Sequence, residues 1–190
     1  MSERPLIYSM GVSLDGFIAG PGGDIGWSAP GEELHRFHNE QARRVGVELY
    51  GRGMYETMRF WENVGERPQP SEEELDFAAI WEATRKIVFS RTLQEVSAGF
   101  ELAAAGPLEV LAEQRQTPGG EIAVGGAGLA RAFVEADAVD EYRPLVHPVV
   151  LGGGTPFLPP LPAPLELELA ESRDFANGVT YLRYVRVRRP

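Results

Sequence analysis

EIAVGGAGLARAF, residues 121–133, decides the fold. A short apolar run ends in Gly125, Gly126 and Gly128, and Leu129, Ala130, Phe133 and Val134 then follow at helical spacing. The pattern predicts a strand, a tight turn and a helix. Such a turn leaves the first N–H groups of the helix unpaired and brings backbone close to a ligand, an arrangement suited to phosphate. Glycine also serves such turns for steric reasons alone, so the stretch gains meaning only from what surrounds it.

The same pattern occurs earlier. Residues 47–50 read as a strand that runs into Gly51, Arg52 and Gly53 and then a helix carrying Met54 and Tyr55. A third strand, 86–89, ends in Ser90, Arg91 and Thr92. In an open parallel sheet the carboxyl ends of the strands face ligand. Two glycine turns and two arginines at such ends fit a ligand with separated phosphates, the arginines read singly being equally ordinary surface cations.

Outward from these elements, residues 5–12 form an apolar first strand, 13–16 turn it, 17–19 resume it and 20–27 form a breaker-rich loop. A helix is expected from Pro30 to Val45, ended by Gly46, with Glu32 and Glu33 in its first turn. Ser71 and Glu74 form a capping box for a further helix, and Pro107 starts another. Residues 62–69 read as loop. Residues 139–150 read as a long strand broken by Pro144 and Pro148, residues 156–164 as an extended proline-rich connection, and 165–170 with 179–187 as a closing antiparallel hairpin. Strands alternating with helices and then a β-only tail predict an α/β fold, mostly parallel with antiparallel strands at its end.

The 190 residues, 43% of them hydrophobic, read as one domain over residues 1–190. The opening residues lack a basic segment followed by a long apolar one, and no apolar run is long enough to span a bilayer, so a cytoplasmic protein is expected. There are no cysteines, which excludes disulfides and thiolate chemistry. Of three histidines, His35 and His38 lie three apart on the expected helix without a carboxylate at matching spacing; they read as partly exposed side chains, with no metal site. The net charge of −10 opposes nucleic-acid binding.

The dinucleotide fingerprint of an ordinary Rossmann enzyme is not matched, because Arg131 stands where its third small residue packs and the motif lies late in the chain. Taken in order, SLDGFIAGPGGDIGW (13–27), YGRGMYETM (50–58), IVFSRTL (87–93), GGAGLARAFVEADAVDEY (125–142) and HPVVLGGGTPF (147–157) resemble the dihydrofolate reductase-like superfamily. Within it they are similar to the riboflavin-biosynthesis reductase (RibD C-terminal) domain family, over nearly the whole chain. The resemblance implies the three-layer dihydrofolate reductase-like fold and NADPH as hydride donor. It assigns the phosphates to Gly51, Arg52, Met54 and Tyr55 and to Gly125, Gly126, Ala127, Gly128 and Leu129. Arg52, Ser90 and Arg91 would surround the adenosine 2′-phosphate, and Gly11, Ile18 and Ala19 the nicotinamide.

On the substrate side, Trp27, Pro30 and Glu32 resemble the loop tryptophan and helix carboxylate that hold a pterin, although Glu32 reads equally as a dipole-favouring surface residue. Asp15 matches a position near the family's substrate site and also suits an Asp-Gly turn; Glu141 faces the pocket or merely begins a strand. The expected activity is hydride transfer to a C=N or C=O bond of a small pterin-like or aminopyrimidine-like substrate. Dihydrofolate reductase-like activity and 5-amino-6-(5-phosphoribosylamino)uracil reduction are both within it. The basic set for a ribosyl phosphate is missing, and Arg36 and Arg43 are only candidates for a folate tail. The alternatives are an NADP(H)-binding sensor or assembly module without turnover, and a flavin-binding module. The family also implies a homodimer, paired near residues 139–150.

Overall fold

The computed structural model describes residues 4–188. Its centre is an eight-stranded sheet in the order β5-β4-β3-β6-β1-β7-β10-β9. The strands are β1 (Leu6–Ser13), β3 (Val45–Gly51), β4 (Arg85–Phe89), β5 (Glu101–Leu102), β6 (Glu121–Gly125), β7 (Glu141–His147), β9 (Leu167–Asp174) and β10 (Thr180–Arg186). The pairings from β5 through to β7 are parallel, and β10 joins β7 and β9 antiparallel. Two short strands, β2 (Phe17–Ala19) and β8 (Thr155–Pro156), pair separately. The helices are α1 (Glu32–Ala42), α2 (Arg52–Met58), α3 (Glu72–Ala83), α4 (Pro107–Gln116) and α5 (Ala127–Glu135).

Strand alternation divides the sheet into two unlike faces. Leu6, Tyr8 and Val12 of β1, Val47 and Leu49 of β3, and Ile122 and Val124 of β6 join Val110, Leu111, Phe133 and Val134 of α4 and α5 in the principal core. On the other face, two smaller clusters hold the flanks. Leu34 and Phe37 of α1 pack with Leu145, Phe175, Val179 and Tyr181, while Tyr50, Tyr55, Trp81, Val88 and Phe100 pack beneath α3. The helices of this face are tied by Asn39, whose Nδ2 donates to the Glu73 carbonyl at 3.0 Å and to Asp76 at 2.7 Å. Between the two clusters the sheet is left without an apolar cover.

Several boundaries differ from expectation. Helix α1 stops at Ala42, and Gly46 lies inside β3, where a Cβ would come within 2.7 Å of the Gly120 backbone nitrogen. Glycine there permits strand approach instead of ending a helix. Residues 59–66 form 3-10 helix that runs into the loop expected at 62–69, and β5 was not foreseen because two residues carry no readable period. Pro144 does not end β7: the strand stays paired with β1, Pro144 opposite Met10, while the ladder to β10 is interrupted at Arg143 and Pro144. The first hairpin strand extends to Asp174. β7 is paired on both sides, by β1 and by β10.

Candidate active site

The carboxyl ends of β1, β3, β4 and β6 open into a cleft of about 820 Å³. It brings together Gly11, Ile18, Ala19, Gly51, Arg52, Met54, Ser90, Arg91, Gly125, Gly126, Ala127, Gly128 and Leu129. Helices α2, α4 and α5 start around it from Gly51, Gly106 and Gly126, and none of these N-cap positions has a side-chain hydrogen bond to the helix. Unpaired N–H groups therefore face the cleft, the state an anion can satisfy. Gly126 needs its φ of 86° to turn β6 into α5, and a Cβ at Gly125 would press to 2.9 Å from Met54 Cγ.

Charge at the cleft is concentrated on β4's end. Arg91 is exposed and makes no hydrogen bond or ion pair among the described residues. Arg52 reaches the same region, donating to Thr92 Oγ1 at 3.1 Å and to Glu56 at 2.7 Å. The Ser90 hydroxyl accepts the N–H groups of Thr92 and Leu93 at 3.2 and 3.1 Å, which shapes the turn that carries Arg91. Tyr55 is apart from this group. Its ring is buried against Phe100, and its hydroxyl accepts the Ser97 N–H at 3.0 Å, so it supports the wall without lining it.

A second hollow of about 1000 Å³ occupies the uncovered stretch of the other sheet face. Its floor alternates in register with the core: Ser9 and Gly11 of β1, Glu48 and Tyr50 of β3, Glu121 and Ala123 of β6, and Arg143 and His147 of β7. Its walls include His35 and His38 of α1, Glu73 of α3, Met58 and Trp61. The two hollows meet at Met10, Gly11, Ser28, Met54 and Gly125, which border both.

The polar groups of this cavity differ in how they are engaged. Arg143, 4% exposed, makes a two-pronged bond to Glu121 with both distances 2.8 Å and a further bond to Glu141 at 2.9 Å. Burial disfavours its charge, yet Glu121 and Glu141 outweigh that cost and hold its pKa above the ordinary value. Glu48 has neither a hydrogen bond nor an ion pair among the described residues. Burial pushes its carboxyl up to about 7, opposed by the charge of Lys86 in the neighbouring strand. That ammonium is spent on the end of α3, donating to the carbonyls of Trp81 at 2.5 Å and Thr84 at 2.7 Å. Burial, His35 and His147 together lower His38 to about 4, and burial lowers His35 and His147 as well. All three imidazoles are therefore neutral at neutral pH.

The residues expected on the substrate side are scattered. Glu32 stands at the cavity's rim, exposed and ion-paired with Arg36. Trp27 sets its edge against the His147 ring at 5.3 Å and donates its indole N–H to the Asp24 carbonyl at 3.1 Å, steadying the loop beside the cavity without lining it. Asp15 lies outside both hollows, where it accepts the N–H groups of Leu151 and Gly152 at 3.1 and 2.7 Å. Bonds from Ser13 and those amides hold its carboxyl down to about 2, the state of a loop latch. Glu141 is occupied by Arg143 and Arg183. His35, expected to be partly exposed, is buried with its ring 6.0 Å from Trp61. Sequence reasoning passed over Glu48, read His38 only as a partly exposed side chain and gave His147 no role. The readable signal for Glu48 is a lone carboxylate in the otherwise apolar 47–50 strand.

Residues 4–181 match the family model described as the RibD C-terminal domain. The chain belongs to that family. Bacillus subtilis YwjB is 30% identical over 97% of this chain and 99% of its own, and YyaP of the same organism is 28% identical over 97% and 96%; both are uncharacterized proteins. Among solved structures, a Shewanella sp. PV-4 protein assigned to riboflavin biosynthesis aligns with a TM-score of 0.76 at 22% identity, covering 97% of this chain and 99% of that one. The Thermotoga maritima diaminohydroxyphosphoribosylaminopyrimidine deaminase/5-amino-6-(5-phosphoribosylamino)uracil reductase gives 0.68 at 17%, over 97% of this chain and 57% of that one. Enterococcus faecalis dihydrofolate reductase complexed with NADP(H) gives 0.64 at 18%, over 96% of each. These likenesses establish the dihydrofolate reductase-like fold. Among the described residues no helix is long and apolar enough to cross a membrane, and no cluster of three or more His, Asp or Glu side chains is placed to hold a metal ion.

Proposed function

We propose that this protein is an NADPH-dependent reductase that delivers hydride to a C=N or C=O bond of a small pterin-like or aminopyrimidine-like heterocycle. The observation that carries this reading is the shared border of the two hollows: an anion-binding cleft and a separate, larger cavity meet at Met10 and Gly11. A two-part site of this kind suits a long donor in one hollow and a planar acceptor in the other.

The cleft fits the donor on its own chemistry. The uncapped starts of α2 and α5 offer N–H groups to a pyrophosphate, and the unpaired guanidinium of Arg91, with Arg52 beside it, suits an additional phosphate on the adenosine ribose. Gly11 borders both hollows, and with Ile18 and Ala19 of the cleft lining it would receive the nicotinamide, which supplies hydride when bound. Ser28 and the loop before α1 border both hollows and would keep water from the junction. Where the acceptor needs a proton, Glu48 is the cavity's carboxyl able to hold one near neutrality.

Titration with NADPH and NADH, followed by a screen of heterocyclic acceptors for loss of reduced-nicotinamide absorbance, tests the proposal. Preferential NADPH binding with acceptor-dependent oxidation is expected. Tight NADPH binding with no oxidation by any acceptor would favour the sensor or assembly role instead, and equal affinity for both nucleotides would remove the assignment of Arg52 and Arg91.

A further inference from the structure

The deep cavity and the cofactor cleft carry opposite charge. At the cleft a guanidinium stands unpaired; in the cavity the one arginine that reaches the floor, Arg143, already faces two carboxylates. Among the described residues no other lysine or arginine lines the cavity, whereas Glu48, Glu73 and Glu121 do. An acceptor carrying a phosphate or carboxylate would bring a second anion into this space with no free cation to meet it, a costly burial. Glu48 presents the converse need. Its carboxylate is partly buried, unbonded and set in the floor beside the small residue Ala123, which leaves room above the sheet. A positively charged N–H edge would satisfy it with a charge-assisted pair of hydrogen bonds.

We infer that the acceptor is a planar, cationic C=N compound, an iminium or amidinium-like heterocycle without phosphate or carboxylate, held through its N–H edge by Glu48. This rests on the reductase reading above and narrows it. The redox step balances without a further proton: the carbon of the protonated C=N accepts hydride, the C=N π pair moves to nitrogen as a lone pair, and the cation becomes a neutral amine while NADPH becomes NADP⁺.

Calorimetric titration of the NADPH-loaded protein with benzamidinium, benzamide and benzoate reads the charge preference without turnover. Benzamidinium is expected to bind at least about tenfold tighter than neutral benzamide, with benzoate weakest, from the ordinary worth of a hydrogen bond to a charged group. Glu48→Gln should remove that advantage while leaving NADPH affinity and benzamide binding unchanged. Benzoate binding as tightly as benzamidinium, or an unaltered benzamidinium affinity in E48Q, overturns the inference. In turnover, protonated 3,4-dihydroisoquinoline, a cationic C=N compound that carries an N–H, should be reduced in preference to dihydrofolate; the opposite preference also overturns it. Loss of NADPH binding with the amidinium preference intact would sink the reductase reading and leave the cavity's charge preference standing.

Discussion

The two faces of the central sheet come from the same strands and obey opposite rules. Toward α4 and α5, residues 47, 49, 122 and 124 are apolar and almost fully enclosed; toward α1 and α3, residues 48, 121, 143 and 147 are polar and look into a cavity of about 1000 Å³. One face converts burial into stability, and the other leaves burial incomplete so that something else can complete it. The largest test of that division is Phe133→Ala on the packed face. Phe133 is 0% exposed within the principal core, and truncation should cost about 3–5 kcal/mol by chemical denaturation. A loss under about 1 kcal/mol would mean that this face is not where the fold's stability resides.

The next test belongs to the cleft. Arg91→Ala removes a guanidinium with no partner among the described residues, so the variant's stability should stay within about 0.5 kcal/mol of the parent. NADPH affinity should fall about 10- to 100-fold, with NADH affinity unchanged, as expected for a lost charge-assisted bond to phosphate. Equal losses for both nucleotides would place the guanidinium elsewhere along the ligand.

Glu48 sharpens the comparison through pH. Its folded-state pKa, about 7, is raised above that of the unfolded chain, so the folded state holds the extra proton. Its contribution is full below the unfolded pKa and is lost as pH rises through about 7. Glu48→Gln should therefore stabilise the protein by about 1–3 kcal/mol at about pH 8 and leave it nearly unchanged near pH 4, measured by denaturation at each pH. His38 runs in the opposite sense, because a depressed pKa of about 4 makes its neutral form lose ground as pH falls below the imidazole's usual range. The variant thus separates two slopes that oppose each other in the parent, where His35, His147, Glu73, Glu121 and Arg143 also face the space and Lys86 stands beside Glu48 in the neighbouring strand. A variant weaker than the parent at about pH 8 would show that the carboxylate has a partner after all.

The packed face and the cleft were legible in the sequence for the same reason: their signals are local. Short apolar runs marked β1, β3 and β6, and glycines 51, 125 and 126 marked the turns where strands become helices. The cavity was not legible, because its residues come one at a time from β1, β3, β6, β7 and α1 and meet only after the sheet forms. Glu48 inside GVELYG looked like an incidental polar residue, and His147 had no partner within reach along the chain. Asp15 and Glu141 were drawn toward the site by family position, yet amide and guanidinium partners hold them elsewhere. Tyr55 shows the limit within a correct motif: helix α2 turns its ring inward, away from the cleft that its neighbours line.

The smallest predicted effect separates helix starts that stabilise from those that bind. At α3 the Ser71 hydroxyl accepts the Glu74 N–H at 3.1 Å, and the Glu74 carboxylate accepts the Ser71 N–H at 2.8 Å, so this N-terminus is closed by the protein itself. At α5, Gly126 provides no such closure. Ser71→Ala should consequently cost about 1 kcal/mol without altering NADPH affinity. The bond from Ser71 first, and Arg67 in addition, holds the Glu74 carboxyl below its usual range. That half of the box is present above the ordinary carboxylate pKa and lost as pH falls through the depressed value, so the difference between S71A and its parent should shrink in acid. A cost that stays constant through that range would assign the whole effect to the hydroxyl and none to the reciprocal carboxylate. An accompanying change in NADPH affinity would instead mean that closing one helix and opening another are not independent choices in this fold.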